Sequence, residues 1–538
     1  MNTHKLIISA LVSCVLSSDA LAGDKVKEVL AKDKVSAQDY RGALKMYYDM
    51  LAKEPNNANY NYYAGQCLLE LKKYEDAITY LETTLKEKPK YNEVIHLALA
   101  KCYLHTTKLD EAIAEVDNYI SSDKKGKPKE YEQATEVKNA CIRAKELMQK
   151  PLNVTITNMG NVINSKYDDY APSITADGKT MVFTSRREDT RGGGVDNEFD
   201  GKYFEDIYIT HLDERTGKWQ EAEGIKGSLN SDAHDASLSI SPDGNQIFVY
   251  KNIPDETRSG DIFVSLMNKT GKWSTPRSVS ENINSSYFES SASLSSDGQT
   301  LYFVSERAGK TTIGNGDIYR VKKISKSEWG IPENLGGVVN TPDDEVSVYI
   351  HPDGKTLFFS SKGHNSMGGY DIYKTVLNTD GSWTKPENIG YPINTTNDDL
   401  HFVLTADNTT AYYSRNNGPN ALGERDIYKI DMTKSGVMPV NKEAVEKIKD
   451  LIIFKGDVID NAMSQGIDAD IIIADATTNE QIHKINSNTE GSYFCMLKSN
   501  KKYTVTVSKE GFKPYIEIID LTINTNSTIT KPILLIRQ

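Results

Sequence analysis

Five acidic residues stand at one phase of a long repeat: Asp169, Asp235, Glu289, Glu345 and Asp399. Each follows an asparagine by five residues, at Asn164, Asn230, Asn284, Asn340 and Asn394. Carboxylates gathered in a ring are hard oxygen ligands, so they fit a cation such as calcium, or a basic partner. The spacing has a second reading. A cation closes each following strand, at Arg186, Lys251, Arg307, Lys362 and Arg415. Acid and base would then pair between neighbouring strands and hold the repeats together. Other chemistry finds little purchase. The chain has no G-x-S-x-G elbow, no H-E-x-x-H, and no glycine-rich phosphate loop after a strand. Its nine histidines are scattered without ligand spacing. The expectation is no catalytic residue and no cofactor, with calcium on the acidic ring as the exception to test.

The elements that position the acids recur with a period near 55. Asp206-Ile207-Tyr208, Asp261-Ile262-Phe263, Asp317-Ile318-Tyr319, Asp371-Ile372-Tyr373 and Asp426-Ile427-Tyr428 lie 55, 56, 54 and 55 residues apart. Turn pairs recur as Asp177-Gly178, Asp243-Gly244, Asp297-Gly298, Asp353-Gly354 and Asp407-Asn408. All four tryptophans, Trp219, Trp273, Trp329 and Trp383, share one phase. Short alternating strands at such a period predict a β-propeller over 152–431, one four-stranded sheet per repeat. Four of the asparagines end a segment that starts with tryptophan, such as "WTKPENIGYPIN". The fifth ends "NVTITNMGNVIN", residues 153–164, and no tryptophan segment follows the last repeat. The N-terminal segment is therefore predicted to supply the last outer strand and close five blades, six being the alternative. The repeats, "SISPDGNQIFVY" with "SGDIF" among them, resemble those of the TolB β-propeller family, which implies the fold and leaves function open.

Residues 24–150 repeat with helical spacing. Tyr40 and Tyr74, Ala43 and Ala77, and Pro55 and Pro89 are each 34 apart. "YYAGQCLLELKKYEDAITYLETTLKEKP" resembles the tetratricopeptide repeat, with Gly65, Tyr74, Ala77 and Pro89 at signature positions. The resemblance implies about three helix pairs, a capping helix near 131–149, and a partner groove lined by first helices. Tyr62, Gln66, Glu70, Lys101 and His105 would face it. Cys67, Cys102, Cys141 and Cys495 show no C-x-x-C and read as small buried residues.

A charged linker over 438–450 leads to a β-sandwich over 452–538. There, Asn488 to Tyr493, Tyr503 and Gly511-Phe512 resemble the carboxypeptidase regulatory-like domain, an accessory fold. At the other end, Lys5, the apolar stretch Leu6 to Leu16 and Ala20-Leu21-Ala22 read as a signal peptide, 1–22. Leu11 to Cys14 offers a lipobox alternative, with Cys14 lipidated. No later stretch is long and apolar enough for a transmembrane span. A net charge of −12 over 538 residues argues against nucleic acid as a partner. Exported protein, in the periplasm or on the periplasmic face of the outer membrane, is the expected location.

Taken together, the regions resemble OmpA-like envelope proteins of Bacteroidota, one of them an accessory of type 9 secretion. That family's C-terminal peptidoglycan-binding domain has no counterpart before Gln538, so direct peptidoglycan binding is not carried over. The resemblance implies a non-enzymatic scaffold whose partners are envelope proteins. The alternative is a ligand-binding module with a small sugar or peptide in the propeller channel.

Overall fold

A computed structural model describes residues 24–122, 128–196, 200–213, 215–251, 260–268, 271–325, 328–440, 451–488, 490–499, 501–522 and 528–538. The expected signal segment 1–22, Cys14 and most of the 438–450 linker lie outside the described residues. The chain forms two compact units, Met1–Glu146 and Leu147–Gln538. Among the described residues no helix is long and apolar enough to cross a membrane.

The first unit is helical: α1 (Asp24–Ser36), α2 (Tyr40–Leu51), α3 (Ala58–Glu70), α4 (Tyr74–Glu87), α5 (Val94–His105), α6 (Leu109–Ser122) and α7 (Pro128–Met148). Local chemistry sets the ends. Asp39 accepts from the Gly42 amide and caps α2, while Asn57 accepts from Asn59 and Tyr60 and caps α3. Pro55 and Pro89 fall between helices, where a missing N–H costs nothing. Small residues set the crossings. A Cβ on Gly65 would lie 2.7 Å from Leu81, so α3 and α4 approach as only glycine allows. Ala43, Ala77 and Ala112 are fully buried at equivalent places.

The second unit begins with five antiparallel sheets. The first holds Asp169–Ile174, Thr180–Ser185, Asp206–Asp213 and Lys218–Trp219, with Glu223–Gly224 also on its third strand. The second holds Asp235–Ile240, Gln246–Lys251, Asp261–Leu266 and Arg277–Ser278. The third holds Glu289–Leu294, Thr300–Ser305, Asp317–Lys322 and Glu333–Asn334. The fourth holds Glu345–Ile350, Thr356–Ser361, Asp371–Val376 and Glu387–Asn388. In the fifth, Asp399–Leu404, Thr410–Asn416 and Arg425–Asp431 are joined by Thr155–Asn158 from the N-terminal end. The first strands of consecutive sheets touch in order, and that of the fifth touches that of the first.

Side chains repeat with the strands. Asn164, Asn230, Asn284, Asn340 and Asn394 each accept from the backbone N–H of an isoleucine and donate to its carbonyl. The isoleucines are Ile427, Ile207, Ile262, Ile318 and Ile372. In the third and fourth sheets an outer-strand asparagine, Asn334 or Asn388, donates to Asp317 or Asp371. Asn158 takes the equivalent place in the fifth, 2.7 Å from Asp426. Each hairpin turn puts its fourth residue at positive φ, from 61° to 74°. Four are glycines and the fifth is Asn408, one of the few side chains that tolerate this region.

Two further sheets follow. Leu451–Asp460 lies between Ser492–Lys498 and the parallel Thr528–Thr530 and Ile533–Leu535, with Gln465–Gly466 also on it. Gln481–Asn486, Asp470–Asp475, Lys502–Ser508 and Tyr515–Asp520 form the other sheet. Phe454, Ile471, Ile473, Cys495 and Val505 are among the residues of their shared core.

Asn394 is fully buried, and its amide bonds Ile372 N–H and carbonyl at 2.8 Å each. Replacing it with alanine strands both groups, so Asn394→Ala should cost about 1–3 kcal/mol. Urea unfolding followed by tryptophan fluorescence checks this. An unchanged midpoint would mean that the clasp does not hold the sheet.

Candidate functional site

All five phased acids, Asp169, Asp235, Glu289, Glu345 and Asp399, are fully buried. Each turns back on its own loop. Glu345 accepts from the Thr341 amide at 3.0 Å and the Thr341 hydroxyl at 2.8 Å, and Asp399 binds Thr395 in the same way. Ser165, Ser231 and Ser285 serve the other three. The carboxylates therefore staple the loop before each inner strand. No cluster of three or more potential metal-ligating side chains occurs among the described residues.

Acid–base pairing follows a parity rule. Lys251 pairs with Asp235, Arg415 with Asp399 at 3.8 Å, and Arg307 with Glu289 at 3.4 Å. These cations follow their acids by 16 or 18 residues. Arg186 and Lys362 follow by 17, and neither pairs as expected. Successive residues on an extended chain point to opposite faces, so an odd offset turns the cation away. Arg186 binds Asp200 instead, and Arg187, one residue on, takes Asp169 at 2.7 Å. Lys362 sits over the Tyr370 ring at 4.4 Å. Gly363 holds the even position, so Glu345 has hydroxyl and amide donors but no cation among the described residues. Burial pushes its carboxyl up to about 7, and that of Asp399 likewise to about 7 despite Arg415.

In the first unit, Tyr62, Gln66 and Glu70 stand four residues apart on one face of α3. Lys101 of α5 donates to Gln133 of α7 at 3.1 Å. Burial holds the Lys101 amine below its usual range, opposed by Glu70 and Glu130. Tyr62 packs its ring on Tyr91 at 4.8 Å and on Tyr63 at 5.3 Å. The side-chain nitrogen of Gln66 is buried and has no hydrogen-bond partner among the described residues. His105 departs from the expected set: its ring stacks on Tyr74 at 4.3 Å, committing it to helix packing. Sequence spacing missed Tyr91, Glu130 and Gln133. The first lies in an interhelix segment, and the others on a helix outside the repeat period. Cys67, Cys102 and Cys141 are buried, with thiols pushed up to about 12, 12 and 11 by desolvation. Buried Cys495 is raised likewise.

The long first-sheet loop, 186–204, is tied down where it is described. Lys202 bridges Asp168 and Glu424 at 2.7 and 2.8 Å, and His234 reaches Asp196 at 3.0 Å. Between the inner strands, two cavities of about 20 Å³ are walled by serines with Tyr349, His401 or Phe402. Each has space for about one water and none for the small sugar or peptide expected there.

Residues 34–96 and 69–131 match the tetratricopeptide repeat family model. The helical unit thus carries tetratricopeptide repeats, modules that bind proteins. A search of curated proteins gave no match. Among solved structures, the P58(IPK) tetratricopeptide domain is 19% identical over 24% of this chain and 35% of that one, with a TM-score of 0.22. TolB from Acinetobacter baumannii is 17% identical over 51% of this chain and 57% of its own, with a TM-score of 0.31. The first tetratricopeptide domain of Spaghetti (RPAP3), bound to an HSP90 peptide, is 15% identical over 23% of this chain and 93% of its own, with a TM-score of 0.21. The chain thus spans only part of the first of these domains and of TolB.

Glu345 gives a pH prediction. Its folded value of about 7 exceeds its ordinary 4.5. The folded state therefore binds the proton more tightly, and this contribution is complete below pH 4.5 and lost as pH rises to 7. The loss is about 3 kcal/mol at most. In Glu345→Gln the amide oxygen can accept from Thr341 N–H while the hydroxyls rotate to accept from the NH2. Urea unfolding at pH 5 and pH 8 should show a smaller fall in stability for the variant. Equal falls would mean that Glu345 is ionised throughout.

Proposed function

We propose that the chain is a non-enzymatic scaffold of the bacterial cell envelope that holds a protein partner on its tetratricopeptide face. The observation that carries this is the set Tyr62, Gln66, Glu70 and Lys101. It lies within the repeat match and combines clustered aromatic rings, a buried donor unsatisfied among the described residues, and a desolvated amine. A bound segment supplying a carbonyl to Gln66 would relieve a polar group that costs energy when unpaired. Burying Tyr62 would add apolar area.

The finer assignment rests on sequence. The signal-like segment 1–22 supports export, and the resemblance to OmpA-like envelope proteins of Bacteroidota supports an accessory role in an outer-membrane or type 9 secretion assembly. The five-sheet region is read as a five-bladed, TolB-type propeller, supported by the cyclic contacts of inner strands and by Thr155–Asn158 completing the fifth sheet. In this reading the propeller is a rigid body presenting rim loops to further partners.

Affinity capture from detergent-solubilised envelope of the host, using residues 23–538, tests the reading. A discrete set of envelope proteins should be recovered with the intact chain and lost when 24–150 is deleted. Tyr62→Ala should weaken the direct contact by about 2 kcal/mol, roughly thirtyfold. Recovery independent of 24–150 would remove the groove from the function.

A further inference from the structure

A cleft of about 490 Å³ opens in the second unit between turns of the second and third sheets and the two-sheet sandwich that ends the chain. The sandwich reaches the sheets beside it: Phe494 lies 3.8 Å from where a Cβ on Gly298 would stand. Lys455 of the sandwich acts electrostatically on Asp243 of the second sheet's turn. The volume falls in the range of small-ligand sites and far exceeds the cavities among the inner strands.

The polar groups in the wall divide into two kinds. Three carboxylates are already used by the fold. Asp243 accepts from Ser241 and Asn245, Asp297 from Ser295 and Gln299, and Asp457 from Ser492. A second group is left over. Among the described residues, the Lys323 and Lys455 ammoniums make no hydrogen bond or ion pair, and the Asn488 side chain uses only its oxygen. The Gln246 amide, the Gln299 side-chain oxygen and the Glu490 carboxylate are similarly unengaged. Lys323 rests over Trp329 at 5.5 Å, and burial lowers its affinity for a proton. The leftover set is thus donors and acceptors together, beside Phe494 and Met267 as apolar surface.

We infer that this cleft is a binding site for a neutral, hydroxyl-rich saccharide. The wall carries four acids, Asp243, Asp297, Asp457 and Glu490, against two lysines, so an ion of either sign meets like charge. A hydroxyl both donates and accepts, so one ligand class satisfies lysine, amide and carboxylate alike. The site is built from residues of the second unit alone, and the inference is independent of the partner proposed for the tetratricopeptide face.

The test is titration calorimetry of the full chain with a panel of neutral trisaccharides: maltotriose, cellotriose, xylotriose, mannotriose and tri-N-acetylchitotriose. Trigalacturonate serves as the anionic control. At least one neutral trisaccharide should bind, with affinity that persists at high salt. It should weaken about tenfold in Lys323→Met and in Lys455→Met, since each removes a donor the fold does not use. Thermal unfolding verifies that the variants are folded, and Gln246→Ala and Glu490→Ala replace any that is not. No binding by any neutral sugar overturns the inference. So does binding unchanged in all the variants, or binding of trigalacturonate alone that disappears with salt.

Discussion

One side-chain amide, repeated five times, organises the five-sheet region. At Asn164, Asn230, Asn284, Asn340 and Asn394 it takes both backbone groups of an isoleucine on a third strand. Four of these clasps join a strand to the loop that follows it within 23 residues. The fifth joins Asn164 to Ile427, 263 residues away. The same local chemistry thus serves within one sheet and its following loop four times and as a lock between the two ends of the five-sheet region once. The long-range version must be paid for in loop entropy, and the strand Thr155–Asn158 and the Asn158–Asp426 bond add to it. That lock also seats Thr155–Asn158 on the outer side of the fifth sheet, whose third strand would otherwise present an open edge.

The acids five residues later inherit their geometry from the clasp. With the asparagine fixed, the next residue, a serine or threonine, is placed to donate twice to the carboxylate that opens the inner strand. A buried carboxylate needs such donors, and a cation on top of them is optional. Glu289 has both, whereas Glu345 has only the donors. Serines on the inner strands bind across the sheets: Ser173 accepts from Ile240, Ser291 from Val348 and Ser293 from Ile350. Between polar inner strands pressed together in this way, the two cavities described above each have space for about one water.

How much of this was legible depended on how local the determining physics is. The strand period, the turn residues and the asparagine phase are written in the chain, and residues 153–164 bear the asparagine phase that places Thr155–Asn158 on the fifth sheet. The parity of the cations was legible too: offsets of 16, 17 and 18 are countable, and only alternation along the strand was needed to reject Arg186 and Lys362. His105 was harder, since four-residue spacing puts it on the helix face but cannot show that Tyr74 already occupies its ring. The sandwich-side cleft was illegible. Its two walls, residues 243–323 and 455–530, are separated by more than 130 positions, and their meeting depends on tertiary placement that no local pattern encodes.

Strongly shifted groups commonly mark a site of chemistry, yet here the shifts at Glu345 and Asp399 have another origin. Both carboxylates are sealed from solvent and held by the hydroxyl and amide of their own loops, so no substrate atom can approach them. Their shifts measure the cost of placing an acid where the fold needs an acceptor. Lys101 and Lys323 differ in kind. Each amine is disfavoured by burial, yet Lys323 lines an open cleft and Lys101 reaches Gln133 on a neighbouring helix. A shift accompanied by an open approach identifies a surface built to receive something. Those two lysines, more than the ring of acids first picked out by spacing, stand at the two places where we propose that this protein meets other molecules.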